Sequence, residues 1–375
     1  MNIRKIDDDL KELSKRGRIF FYGSTSVLKY KRRQIKIYKI LTDINVAEIG
    51  RYFPNLIFSG GCNFDCYTIL DENTILTFLI IEDGVKDNFE YLESIYQIEN
   101  NPLFLLFYSP IEDKYYSMNE KFLDSLGKNS CNIVIEKQLF IDDLLDISLL
   151  ASETELSIKI NSINISRFND KSNYYYNDDN FQKFLPFLEL TLTSLNPYKG
   201  FLFLEKINLL SFFFPFLNDL KGIEQDRYLH PEGDVFQHTM QCFKYVKNPS
   251  LRLTLGLLLH DYGKSISRGQ NGSGFKFHSS SGAKKVKEIL TPFGYSETLI
   301  KDVEFLVEFH MINSYFHRIS NDDKERLFNN ALGLELLKLY KADTLGSTGK
   351  MDLYYDVLSH LKKNIKCKVL VGNAN

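Results

Sequence analysis

The chain has no tryptophan, only five cysteines among 375 residues, and no histidine before position 230. Each shortage excludes something. The cysteines (Cys62, Cys66, Cys131, Cys242, Cys367) are too scattered for a disulfide framework. With the absence of an N-terminal signal region, they point to a reducing cytoplasm. Cys62 and Cys66 have no second Cys or His pair nearby, which argues against a zinc knuckle. Long apolar runs are also missing. LLSFFFPFL at 209–217 is too short to span a bilayer, so no membrane role is expected. Nor is there an excess of one charge: the net charge is −2, which gives no global basic field for nucleic acid.

What is present suits a globular protein, with 44% hydrophobic and 25% charged residues. The length exceeds one ordinary core and implies two or three domains. One stretch is locally basic: Lys29, Lys31, Arg32, Arg33, Lys36 and Lys39. It is a candidate RNA- or nucleotide-binding face, since phosphate contacts need only positive charge. The plainer reading is a solvated basic loop.

Six of the seven histidines (His230, His238, His260, His278, His310, His317) crowd into one window. Neutral imidazole binds transition metals and works as an acid or base near pH 7. The window reads HPEGDVFQHT, LLLHDYGK, FKFHSSSGA and LVEFHM, and its pattern is helical throughout. Asp234, Ser250 and Ser296 are predicted N-caps of helices carrying or ending at His238, His260 and His310. A helix over 334–346 carries Asp343. His260 and Asp261 end a strongly apolar helix, where ionisable groups are costly unless paired or metal-bound. Imidazoles and carboxylates from separate helices around an ion are how a helical bundle builds a metal site. For His230 and His317 a purely structural role is the expectation.

Before this window the pattern alternates between helix and strand. Residues 3–16 read as an amphipathic helix, and 17–23, 38–42, 55–81 and 103–109 contain strand-like runs. The expected organisation is α+β: a mixed α/β head at 1–112, a mostly helical connector at 113–225, an all-α metal-binding domain at 226–346 and a helical, basic tail at 347–375. The polar run at 162–180 reads as a loop or linker.

The string HPEGDVxxHT…LLHDxGK…FxxH…GA…H-Met…AD resembles the HD domain of bacterial tRNA nucleotidyltransferases and poly(A) polymerases, within the HD phosphohydrolase superfamily. The resemblance implies that His238, His260, Asp261 and Asp343 are metal ligands and that His278 and His310 hold a second ion. Lys264 matches a basic residue that meets phosphate, so Asp261 and Lys264 are the implied catalytic pair. Ser279 departs from the pattern, which often has Glu there. The implied cofactor is one or two transition-metal ions, with mixed His/Asp ligation suiting Mn, Fe, Ni, Co or Zn.

A weaker likeness to the same family covers the head, through GRIFFYGSTS, LTDINVAEIGRYFPN and GGCNFDCYTILDENTILTF. Nucleotidyl transfer needs two carboxylates, usually Asp-x-Asp on one strand, to hold two Mg ions. Those positions hold Ile37 and Lys39. Where arginines would read the incoming nucleotide, DDLLDISLLA has Asp146 and Leu149.

The expectation is therefore a metal-dependent phosphohydrolase, a phosphatase or cyclic phosphodiesterase. It would act on a nucleotide or RNA end and carry a catalytically degenerate nucleotidyltransferase-like head. Two alternatives stand: a working CCA-adding or poly(A) enzyme, and a non-catalytic RNA- or protein-binding module.

Overall fold

A computed structural model of the chain describes residues 3–58, 62–71, 74–81, 87–99, 102–128, 132–135, 139–160, 178–267, 275, 277–328 and 331–364. Most of the polar run expected as a linker, and the basic end at 365–368, lie outside them. The chain forms two compact units, one of residues 1–191 with 202–207, the other of 192–201 with 208–375. The first is a mixed α/β unit and the second is mostly helical.

In chain order the first unit contains α1 (Ile3–Leu13), β1 (Ile19–Phe21), α2 (Gly23–Tyr30), β2 (Ile37–Thr42), α3 (Val46–Tyr52) and β3 (Ile57–Phe58). Next come β4 (Cys66–Asp71), β5 (Thr74–Ile80), α4 (Asn88–Glu99), β6 (Leu106–Ser109), β7 (Lys114–Ser117) and α5 (Glu120–Gly127). Then follow β8 (Asn132–Ile135), α6 (Ile141–Glu153), β9 (Ser157–Ile160) and α7 (Leu185–Leu192). The seven-stranded sheet has the order β3-β4-β5-β2-β1-β6-β7. Only β2 and β5 pair in parallel within it. The connector expected over 113–225 is thus interrupted: β7 extends the head sheet beyond residue 112, and β8 with β9 forms a separate parallel pair. The 103–109 run begins as a 3-10 turn over Pro102–Phe104 and becomes strand only at Leu106, since proline cannot donate to a ladder.

β2 (IYKILT) is buried at every residue, because both faces of the sheet are covered. Tyr38 and Ile40 join Ile6, Leu10 and Leu13 of α1 and Ile49 of α3. Leu41 joins Phe20 and, from α4, Tyr91, Leu92 and Ile95. Lys39 lies on this strand and is 1% exposed. A buried ammonium needs counter-charge, and α6 provides it. Lys39 Nζ lies 3.1 Å from Asp143 Oδ1 and 3.7 Å from Asp146 Oδ2. Asn63 donates to Asp142 from its backbone (3.1 Å) and to Asp143 from its side chain (3.0 Å). Gly23, at φ +60°, lets the chain pass this cluster; a Cβ there would sit 2.6 Å from Asp146 Oδ2.

Lys36 likewise pairs with Glu153 of α6 at 3.0 Å. This corrects the basic face read from the sequence. Lys36 and Lys39 are turned inward by the strand they open and occupy, so neither contributes to a surface.

The second unit contains α8 (Pro197–Lys206) in part, α9 (Leu209–Phe213), α10 (Val235–Cys242), α11 (Leu251–Leu259) and α12 (Gly263–Ile266). After them come α13 (His278–Leu290), α14 (Glu297–Phe309), α15 (Asn321–Phe328), α16 (Ala331–Gly346) and α17 (Asp352–Asn364). Asp234, Ser250 and Ser296 cap α10, α11 and α14, each accepting from the backbone N–H three residues on. No helix among the described residues is long and apolar enough to cross a membrane.

The head's buried charges have a consequence for pH. Burial, then the charge of Asp143, push the Asp142 carboxyl from its ordinary 3.8 up to about 7. Between those values only the folded state holds the proton. The stabilisation from this group is complete below the unfolded value and disappears as pH rises through the folded one. Thermal unfolding at pH 5, 6, 7 and 8 is expected to show stability falling across the series, and Asp142→Asn is expected to flatten it.

Candidate metal centre

Three helix ends and two terminal helix turns of the second unit bring the expected ligands to one place. α10 carries His238 in its first turn. α11 runs into His260, which caps it, and Asp261 follows. α13 opens at His278, α14 is capped by His310, and Asp343 occupies the last turn of α16. His238, His260, Asp261, His278 and His310 are all buried.

Two groups of donors form around Asp261. Its Oδ2 faces His260 Nε2 at 3.4 Å and His238 Nε2 at 3.7 Å. Its Oδ1 faces His278 Nε2 at 3.2 Å and His310 Nε2 at 3.7 Å. In the first group His238 Nε2 also lies 3.0 Å from Asp343 Oδ1 and 3.3 Å from His260 Nε2. In the second, His278 and His310 bring their Nε2 atoms to 3.1 Å.

The other ring nitrogens fix what those Nε2 atoms are. Nδ1 of His260 donates to the Leu257 carbonyl (2.8 Å), Nδ1 of His278 to Phe275 (2.8 Å), and Nδ1 of His310 to Val307 (2.7 Å). A carbonyl only accepts, so Nδ1 bears the proton and Nε2 of the neutral ring is a lone pair. At His278, His310 and Asp261, two Nε2 atoms and a carboxylate oxygen converge. At His310 protonation is unfavourable. Burial, then the charge of His260, lower the pKa of His310 to about 3. A divalent cation satisfies all three donors at once. The residues present therefore fit a metal.

Around His238 the balance differs. Burial lowers its pKa, but Cys242, Asp343 and Glu232 outweigh that and raise it well above the ordinary imidazole range. Its Nδ1 donates to Glu232 Oε1 at 2.6 Å, and the same oxygen accepts from His230 Nδ1 at 3.0 Å. Burial raises the Asp261 carboxyl, yet Lys264 and then His260 pull it well below the usual carboxylate range.

Lys264 is buried, with Nζ 2.7 Å from Asp261 Oδ2 and 2.6 Å from Gln225 Oε1. His317 stays apart from the cluster, exposed and paired with Asp356 at 2.7 Å. Lys29, Lys31, Arg32 and Arg33 belong to the other unit. Lys29 Nζ lies 4.5 Å from the Tyr108 ring centre, Lys31 donates to the Leu126 carbonyl, and Arg32 and Arg33 are exposed.

Cys242, Glu232 and Gln225 were not singled out from the sequence. Cys242 had a signal: it lies four residues after His238, on the same helix face. His238, Cys242, His260 and Asp343 place one donor atom each within 4.8 Å of one another. Glycine makes this possible. A Cβ on Gly346 would lie 2.7 Å from Cys242 Sγ and 3.1 Å from its backbone N and Cα, so α16 meets both the backbone and the side chain of α10 at this point. Gly346→Ala is expected to force the two helices apart and cost about 1–3 kcal/mol, measured by denaturant unfolding.

No family model matches the chain, and no curated protein does. Solved structures do match. The Bacillus stearothermophilus CCA-adding enzyme in complex with CTP is 10% identical with a TM-score of 0.53, over 96% of this chain and 83% of that one. A tRNA-processing enzyme complex is 12% identical with a TM-score of 0.50, over 94% of this chain and 90% of that one. The apo form of a tRNA-processing enzyme is 12% identical at 0.50, over 96% and 91%. At these identities the likeness is one of fold: a mixed α/β sheet followed by a mostly helical region, along nearly the whole chain.

Proposed function

We propose that the chain is a metal-dependent phosphohydrolase acting on a nucleotide or an RNA end, within the cytoplasm. The observation that supports this best is the convergence of imidazole Nε2 atoms on the two oxygens of Asp261. His238, His260, Asp261 and Asp343 would hold one ion, and Asp261, His278 and His310 a second. A bound divalent ion supplies a water of lowered pKa and neutralises phosphoryl oxygens. The nitrogen-rich donor set suits Mn, Fe, Ni, Co or Zn better than Mg. Lys264 keeps Asp261 ionised and places a positive charge where a phosphate would be drawn. Glu232 and the three backbone carbonyls hold the imidazoles in the tautomer that ligation requires. Among the described residues, the unbridged thiols of Cys66 and Cys242 accord with a reducing compartment.

The fold likeness to CCA-adding enzymes favours a second reading, nucleotide addition by the head. Lys39 weighs against it. Its ammonium, already neutralised by Asp143 and Asp146, sits where the strand would need a carboxylate for Mg. We therefore assign the head a supporting or RNA-binding role, with Arg32 and Arg33 as its exposed cations.

Elemental analysis of the purified protein beside Asp261→Ala tests the main reading. The wild type is expected to carry one or two transition-metal ions per chain and to hydrolyse phosphomonoester or 2′,3′-cyclic phosphate substrates. The variant is expected to lose both properties. Equal metal content in the two proteins would reject the site. Incubation with ATP, CTP, Mg and tRNA lacking its terminal CCA is expected to give no labelled product; labelling would restore the second reading.

A further inference from the structure

Cys242 is a buried thiol that the reaction outlined above does not use. A buried free cysteine usually behaves as a small hydrophobe, and its neighbourhood decides otherwise here. Sγ lies 3.7 Å from His238 Nε2. That nitrogen is also 3.3 Å from His260 Nε2 and 3.0 Å from Asp343 Oδ1. For tetrahedral ligands at metal–nitrogen lengths of about 2.1 Å and metal–sulfur lengths of about 2.3 Å, nitrogen pairs stand roughly 3.4 Å apart and nitrogen–sulfur pairs roughly 3.6 Å. The separations in the protein are of this size. The sulfur is also confined. His238 and Cys242 share one face of α10, Asp343 and Gly346 share one face of α16, and Gly346 leaves room for the sulfur but not for a further side-chain atom.

We propose that Cys242 is a metal ligand, adding its sulfur to the donors His238, His260, Asp261 and Asp343 of one ion of this centre. The proposal rests on the metal-dependent reading and sharpens it. Histidine and carboxylate donors alone leave the choice of ion open, whereas a thiolate selects borderline-soft ions such as Zn(II), Co(II) or Fe(II) over Mn(II) and Mg(II). As the sulfur–metal bond forms, the thiol proton passes to solvent, so ion uptake releases acid.

Cobalt reports sulfur directly. The full-length protein, stripped with a chelator under reducing, oxygen-free conditions, would be titrated with Co(II) and followed by absorption. The expected result is visible ligand-field bands together with an intense near-ultraviolet sulfur-to-cobalt band. Cys242→Ser is expected to lose the near-ultraviolet band and keep visible ones. Cys62→Ser is expected to keep both, which excludes that thiol as the source. X-ray absorption of the Zn(II)-loaded wild type gives a second measurement that needs no variant, and a sulfur neighbour near 2.3 Å is expected. Ligand-field bands with no sulfur signature in either measurement would overturn the thiolate while leaving the metal centre standing. No bound cobalt at all would overturn both.

Discussion

The second unit is organised by a single carboxylate. Asp261 directs one oxygen to His238 and His260 and the other to His278 and His310, with Lys264 against its Oδ2. A carboxylate buried this deeply would ordinarily take up a proton. Here the surrounding groups reverse that, and the negative charge is what makes a cation-binding centre electrostatically sensible. Helix lengths, caps and the small residues between helices can be read as means of bringing these side chains to it. Ser250 starts α11 so that it ends at His260, and Ser296 does the same for α14 and His310.

The two units handle buried charge in opposite ways. In the head, Lys39 on β2 meets Asp143 and Asp146 on α6, so the cluster contains its own counter-ion. Removing one member of such a pair costs roughly 3–5 kcal/mol, because the remaining charge stays buried. In the helical unit four imidazoles and two carboxylates crowd together, and Lys264 is the one lysine bonded to them among the described residues. The first arrangement is complete as a structure, and the second groups donors that could hold an ion. This contrast is the physical ground for placing chemistry in the helical unit and support in the head.

Much of this was legible in the sequence. The cap residues predicted the starts of α10, α11 and α14 to the residue, because a side-chain oxygen before an apolar period has one main use. Clustering of the histidines announced their convergence, since burial of imidazoles on separate helices demands a shared partner. The strand at 114–117 was missed because KYYS is too short to show alternation, and its identity comes from pairing with β6. Lys36 and Lys39 were misread for a related reason. A lysine in a short run looks solvated unless its partner is known, and their partners lie over 100 residues further on, in α6. Asp146 was seen only as a replacement for an arginine, and Asp142 and Asp143 only as part of the same run. Three acids within an otherwise apolar helix were the available sign that something positive lay opposite.

The way the imidazoles are aimed bears on how the site tolerates sequence change. His260, His278 and His310 each anchor Nδ1 on the carbonyl three positions earlier in the chain. Every amino acid supplies that oxygen, so drift at 257, 275 or 307 leaves the rings pointed as before wherever the backbone path survives. His238 alone leans on a side chain, Glu232, for the same task. Three of the four rings are thus insured against substitution of their orienting neighbour, and genetic fragility concentrates on the fourth.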